Sequence, residues 1–237
     1  IIDIRNASVK LSADSKPLFT SLALTVQKGE KIAIIGRSGA GKTSLLRTIS
    51  GLLEPETGSV QINGAETSSI PRDELFKNVG VVLQDSWLFA GTIRENLTLG
   101  YEEFNDDSIV SALSDAGAHF LGENKNEMLE FPILDRGSNL SGGQKQVLCV
   151  ARALLQQPVV LLLDEATSAM DTQMEASLLK NLDENKSDLT IIAVTHKPTV
   201  MNICSRVILL DQGKIVWDGK LSDYKALVAK KKQMGEK

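Results

Sequence analysis

Cysteine is nearly absent from the 237 residues: Cys149 and Cys204 stand alone, with no CxxC and no paired spacing. The chain therefore offers neither a disulfide framework nor a recognisable thiolate metal or redox site. Cys149 lies in an apolar stretch and is expected to be buried and inert, in keeping with a reducing setting. Long apolar runs are missing as well. The longest, such as residues 159–163, are strand-length and far short of the roughly 18–20 residues that span a bilayer, so direct membrane insertion is not expected. Positive charge is not in excess: 26 Lys and Arg face 30 Asp and Glu, a net charge of −4, which removes the global basic field that nucleic-acid binding uses. Lys230, Lys231 and Lys232 form the one basic run, read as a solvated tail on a terminal helix. There is no signal-peptide pattern, internal repeat or low-complexity segment. The chain opens on Ile1 rather than Met and is expected to be a piece of a longer protein.

What remains is an ordinary globular composition, long enough for one large domain. Residues 1–30 read as short strands, with Ile2 and Ile4, then Leu22, Leu24 and Val26 in alternation, around a polar loop at Ser12 to Lys16. Residues 31–35 form a compact apolar strand, followed by a glycine loop and a helix from Thr43 to Ser50. Val60, Ile62 and the Asn63-Gly64 turn suggest a hairpin, and residues 79–83 another strand. From about 85 to 157 the periodicity is helical, with Ile109, Val110, Leu113 and Ala116 on one face. Two continuous apolar strands follow, 159–163 and 190–195, of the kind buried in a parallel sheet. A hairpin around Gln212-Gly213-Lys214 and a last helix from about Ser222 complete the chain.

Three of these strands run into residues with chemistry: the glycine loop, Asp164-Glu165 and His196. Ligands of open α/β sheets bind at such carboxyl ends, and the three are expected to converge on one crevice. The loop GRSGAGKT, residues 36–43, satisfies G-x-x-x-x-G-K-[ST] in full. Gly36, Gly39 and Gly41 let the backbone N–H groups curl inward around phosphate, with Arg37, Ser38, Ala40 and Ser44 in the same cradle. Lys42 supplies charge to the β- and γ-phosphates, and Thr43 a hydroxyl to Mg²⁺. In VVLLLDE, Asp164 is positioned to hold the Mg²⁺ hydration shell and Glu165 to polarise the attacking water. Residues 140–144 read LSGGQ. Val147, Leu148, Ala151, Leu154 and Leu155 then follow at helical spacing, so Ser141, Gly142 and Gly143 open a helix whose unpaired N–H groups suit a second anion.

A phosphate loop and a downstream LSGGQ, in this order, resemble the nucleotide-binding domain of an ABC transporter, and the likeness runs from the first strand to the last helix. It implies an α/β fold: a P-loop NTPase core with a mostly parallel sheet, an N-terminal antiparallel β-subdomain and an inserted α-helical subdomain. Residues 1–237 would be one ATPase domain, with the helical subdomain at 85–157. The resemblance further implies that Ser141, Gly142, Gly143 and Gln144 cap the ATP held by a second copy of the domain. His196 would contact the γ-phosphate, Gln84 would reach Mg²⁺ and the water, and Asp171 of the SAMD turn would bridge the dimer. His119 has no such context and reads as structural. The segment LFAGTIRENL, residues 88–97, is similar to the loop of ABC exporters that meets the membrane subunit. Trp87 and Phe89 are candidates for that contact or for core packing of the helical subdomain. Asp135-Arg136-Gly137 looks like an exporter segment usually written with Glu.

The implied function is an ATP- and Mg²⁺-dependent motor on the cytoplasmic face of a membrane, working with a transmembrane domain that is fused upstream or separate. GTIRENL and THKPT, residues 195–199, are most similar to type I secretion ATPases. Multidrug and peptide exporters share much of this text, and a soluble ABC protein that acts without transport is a further alternative. One position departs from the family. Where an aromatic residue stacks on adenine, about 25 positions before the glycine loop, this chain has Leu11.

Overall fold

The computed structural model describes residues 1–11, 15–85, 87–122 and 124–235, with side chains described to residue 230. Part of the expected polar loop, residues 12–14, lies outside the described residues. In chain order the elements begin β1 (Ile2–Val9), β2 (Phe19–Val26), β3 (Lys31–Ile35), α1 (Lys42–Ile49), β4 (Thr57–Ile62), β5 (Ala65–Glu66) and α2 (Arg72–Asn78). Then come β6 (Val79–Val82), β7 (Gly91–Thr92), α3 (Ile93–Thr98), α4 (Asp106–Asp115), α5 (Lys125–Leu129), β8 (Pro132–Ile133) and α6 (Gly142–Leu155). The last are β9 (Val160–Asp164), α7 (Thr172–Glu184), β10 (Thr190–Val194), α8 (Pro198–Asn202), β11 (Arg206–Asp211), β12 (Lys214–Lys220) and α9 (Leu221–Gly235). They form two compact units, one of Ile1–Phe76 with Thr190–Lys237, the other of Lys77–Leu189.

The first unit contains an antiparallel sheet in the order β2-β1-β4-β5. Alternation, broken by register shifts between Ile4 and Ala7 and between Ala7 and Val9, puts Phe19, Leu22, Leu24 and Val26 of β2 on the buried face, opposite Val9, Ala7, Ile4 and Ile2 of β1. Asn63 and Gly64, at φ 52° and 82°, make the two-residue β4–β5 turn, whose positive φ values match the right-handed twist of the strands. In the second sheet of this unit β3 lies between two parallel neighbours, β10 and β11, and β12 closes the edge antiparallel to β11. All five residues of β3 and of β10 are buried, which is what their unbroken apolar runs require. Helix α1 adds Leu45, Leu46 and Ile49, each fully buried.

In the second unit β6 and β9 pair in parallel, from Val79 opposite Val160 to Val82 opposite Leu163. Helix α6 buries Val147, Leu148, Val150, Ala151, Leu154 and Leu155, while α4 buries Ile109, Leu113 and the adjoining Ala116. Three details differ from the sequence reading. A small antiparallel ladder, β7 with β8, interrupts the helical stretch. The ninth strand is shifted by one residue, 160–164 rather than 159–163, and takes in Asp164. Cys149 is half-buried rather than buried, its Sγ 3.8 Å from the Trp87 carbonyl, whereas Cys204 is buried. Among the described residues no helix is long and apolar enough to cross a membrane.

Candidate functional site

The glycine loop leaves the end of β3 and is shaped by what presses on it. At Gly36, φ is 154° and a Cβ would stand 2.2 Å from the Leu210 carbonyl oxygen, so only glycine fits. At Gly41 φ is 101° and a Cβ would meet the Phe19 ring at 2.8 Å. Gly213, in the β11–β12 turn, donates its N–H to the Ala40 carbonyl at 3.0 Å, and Ala40 donates to Arg37 at 3.1 Å. Gly41 is the N-cap of α1, and no side chain caps that helix start. Its first N–H groups thus have no internal partner and carry the positive end of the helix dipole.

Beside them is Lys42, only 8% exposed, whose Nζ donates to the carbonyls of Gly36 at 2.8 Å and Arg37 at 3.0 Å. Among the described residues no carboxylate pairs with it. An ammonium has three donors, so a buried cation is left with a proton to place and no countercharge. An anion satisfies both needs. Arg37, Ser38 and Gly39 are exposed around this point, Ala40 is buried, and Thr43 and Ser44 are half-buried on the first turn. His196 is exposed and follows β10, the strand beside β3. Leu11 lies just past β1 and is 64% exposed.

In the second unit, parallel pairing sends two candidates off the same end of adjacent strands: Gln84, exposed, after β6, and Asp164, the last residue of β9. Asp164 is 4% exposed, and among the described residues its carboxylate has no hydrogen-bond or ion-pair partner. A buried carboxylate in that condition fits a hard cation that accepts oxygen ligands and retains water, the behaviour of Mg²⁺. Glu165 is half-buried at φ 49°, a left-handed conformation that costs a non-glycine residue about 1–3 kcal/mol and recurs at reactive positions.

The LSGGQ segment opens α6 with a capping box. Ser141 Oγ accepts from Gln144 N at 3.2 Å, and Gln144 Oε1 accepts from Ser141 N at 2.8 Å. Two of the four orphan groups at this end are thereby satisfied, and the N–H groups of Gly142 and Gly143 remain for an acceptor. Gly143 is a glycine for a different reason from those of the phosphate loop. A Cβ there would meet the Ala169 carbonyl at 2.9 Å and Met170 Cα at 3.0 Å. The SAMD turn thus rests directly on the start of α6. Asp171 caps α7, its Oδ1 accepting from Gln173 N and Met174 N, both at 2.9 Å, which leaves its second oxygen exposed.

Sequence reasoning missed Gln146. It is 2% exposed and holds the same turn with both ends of its amide, donating to Ser168 Oγ at 3.0 Å and accepting from Ala169 N at 2.9 Å. A buried glutamine inside an otherwise apolar helix face was the available signal. Leu210 and Gly213, which shape the phosphate loop, carry no local signal of that contact. Trp87 is 65% exposed, and Phe89 is half-buried. His119 is exposed and bonds Ser177 Oγ at 3.0 Å.

A parallel α/β sheet leading into such a loop, with a buried lysine that has no carboxylate partner among the described residues, defines a P-loop nucleotide-binding protein. Residues 19–168 match the family described as ABC transporter. The chain belongs to that family, as an ATP-binding ATPase domain of the exporter type. It is 34% identical over 223 residues to the probable multidrug resistance ABC transporter ATP-binding/permease protein YheH of Bacillus subtilis, covering 94% of this chain and 33% of that protein. It is likewise 34% identical over 230 residues to the leukotoxin export ATP-binding protein LtxB of Aggregatibacter actinomycetemcomitans, covering 95% of this chain and 32% of that protein. The structure of a bacterial Atm1-family ABC exporter with ATP bound superposes with a TM-score of 0.86 at 30% identity, over 94% of this chain and 39% of that one. The chain thus spans about a third of the length of the curated relatives it matches.

Proposed function

We propose that this domain binds Mg²⁺–ATP, pairs with a second copy of itself around two nucleotides, and uses their hydrolysis to drive export through a transmembrane partner. It would work at the cytoplasmic face of the membrane that holds the partner. The observation that carries this reading is Lys42, a buried ammonium beside an uncapped helix start, with no carboxylate partner among the described residues. In the proposed mechanism the loop 36–44 and Lys42 hold the phosphate chain. Thr43, Gln84 and Asp164 would hold Mg²⁺, which supplies charge neutralisation at the transferring phosphoryl group. Glu165 orients and deprotonates the attacking water, and His196 donates to the γ-phosphate. Ser141, Gly142, Gly143 and Gln144 present the second helix start to the partner copy's nucleotide, and Asp171 bridges the pair. Residues 85–157 act as the helical subdomain that carries this half-site, with Trp87 and Phe89 toward the membrane partner.

Glu165→Gln is expected to trap a dimer with Mg²⁺–ATP, and Lys42→Ala to abolish both nucleotide binding and turnover. A Glu165→Gln chain that stays monomeric and still hydrolyses ATP normally would sink the mechanism.

For the exported class we favour type I protein secretion, supported by GTIRENL and THKPT and by the likeness to LtxB. The equal likeness to YheH keeps a multidrug exporter as the second reading. Turnover in the assembled transporter that rises with an unfolded secretion substrate and ignores hydrophobic drugs supports the first; the reverse supports the second.

A further inference from the structure

Helix α6 carries a second polar junction, two turns beyond the glycines. The half-buried guanidinium of Arg152 has no carboxylate partner among the described residues. It donates instead to three oxygens: Nε to the Asn96 carbonyl at 2.7 Å, Nη1 to the Trp87 carbonyl at 3.0 Å and Nη2 to Asn96 Oδ1 at 3.3 Å. Burial holds its pKa below the ordinary arginine value.

Asn96, fully buried, completes the arrangement. Its Oδ1 also accepts from Phe89 N at 3.0 Å, while Nδ2 donates to the carbonyls of Phe89 at 2.9 Å and Thr92 at 3.0 Å. All four hydrogen-bonding positions of this amide are therefore filled. Thr92 in turn caps α3 through a capping box with Glu95. The loop 87–92 is thus pinned at residues 87, 89 and 92 to one side chain of α3 and one of α6, while the Trp87 ring stays outside.

A charged group held only by carbonyls and an amide gains little from Coulomb pairing. What it supplies is direction, because a guanidinium fork fixes the angles of its acceptors. Helix α6 runs unbroken from Arg152 back to Gly142, and Ser141 caps it.

We propose that Arg152 and Asn96 form a positioning junction that locks the loop 87–92 to α6, so that a push on Trp87 is delivered to the Ser141–Gly143 end of that helix. The consequence for catalysis rests on the reading of Ser141–Gly143 as half of an ATP site; the mechanical link does not.

The test uses the whole chain in a Trp217→Phe background, which leaves Trp87 as its one tryptophan. Arg152→Met, Arg152→Lys and Asn96→Ala are compared by time-resolved anisotropy of Trp87, amide exchange at residues 141–145, affinity for a fluorescent ATP analogue, and ATP turnover. Arg152→Met should increase the local mobility of Trp87 and accelerate exchange at residues 141, 144 and 145, whose N–H groups are bonded, by about tenfold. Nucleotide affinity should stay within about twofold, as roughly 0.4 kcal/mol or less separates such values. Arg152→Lys keeps the charge without the fork and should show the same pattern in weaker form. Arg152→Met with Asn96→Ala should be no worse than either alone.

Exchange that rises evenly through α4 and α6 with a lowered melting temperature, and no selective change at Trp87 or 141–145, overturns the junction. So does a drop in turnover with both reporters unmoved. If the two reporters shift together while turnover stays unchanged, the junction stands and the ATP half-site reading is what fails.

Discussion

Gln146 holds Ala169 by its backbone: the amide oxygen accepts the Ala169 N–H at 2.9 Å while the amide nitrogen donates to the neighbouring Ser168 Oγ at 3.0 Å. Both ends of a 2%-exposed side chain are used, and the SAMD turn cannot move without breaking them. Gln146→Leu keeps the volume and strands the Ala169 N–H. The expected cost is about 1–3 kcal/mol, the desolvation of an orphaned donor. Urea unfolding reads it, and a midpoint equal to wild type would show that the turn is held by packing alone.

Gly142 and Gly143 separate under alanine substitution. A Cβ on Gly143 meets backbone atoms of Ala169 and Met170 at 2.9 and 3.0 Å, neither of which can turn aside. One on Gly142 meets only the Ala169 side chain, at 3.0 Å. Gly143→Ala should therefore cost about 1–3 kcal/mol of stability, with Gly142→Ala clearly the milder variant. Equal effects in a thermal melt would contradict the packing account.

Leu11, 64% exposed just beyond β1, is proposed to stand at the adenine-stacking position, where it offers no ring. Leu11→Tyr should tighten ATP binding by about 0.5–1.5 kcal/mol, the stacking contribution beyond area. It should also widen the preference for ATP over GTP. Titration of both nucleotides tests this; unchanged affinities for the two would remove Leu11 from the site.

Arg94 grips Asp106 and Glu130, and its hydrogen bond to Asp106 holds that carboxyl below the ordinary carboxylate range. The folded-state pKa of Asp106 is thus the lower one. The stabilisation is present above the unfolded value of about 3.9 and is lost as pH falls through the folded one. Asp106→Asn should lower stability at pH 7, where the charged pair is formed, and flatten the acid limb of a stability–pH curve below about pH 4, the variant and wild type converging once Asp106 is protonated. An acid limb as steep as wild type would assign that loss to other carboxylates.

What could be read beforehand was local. Glycines at 36, 39 and 41 followed by Lys-Thr announce a phosphate loop, because their requirement for unusual φ values is met within eight residues. The buried strands expected at 31–35 and 190–195 were equally legible from their apolar runs, the second ending at Val194. Ser141 and Gln144 form an S-x-x-Q capping box, a signal that was there to be used. The β7–β8 ladder was not legible, since two-residue strands have no periodicity. Nor were the partners in the Gln146–Ala169 and Gly36–Leu210 contacts, since each contact joins residues far apart in the chain. Cys149 went astray for the same reason: its helix face turns toward the Trp87 loop rather than into the core.

The central strand β3 has consequences for the order in which the molecule is made. Its residues 31–34 pair with 191–194, and 32–35 with 206–209, while Gly36 and Ala40 lean on Leu210 and Gly213. A ribosome therefore completes the phosphate loop's residues long before it has synthesised the strands and turn that give the loop its shape. Until then the loop lacks the Leu210 and Gly213 walls, and only Phe19 of β2 has been made to press on Gly41. Nucleotide affinity should emerge abruptly, late in synthesis, when the β11–β12 hairpin docks, so that ATP binding itself marks the arrival of the C-terminal third.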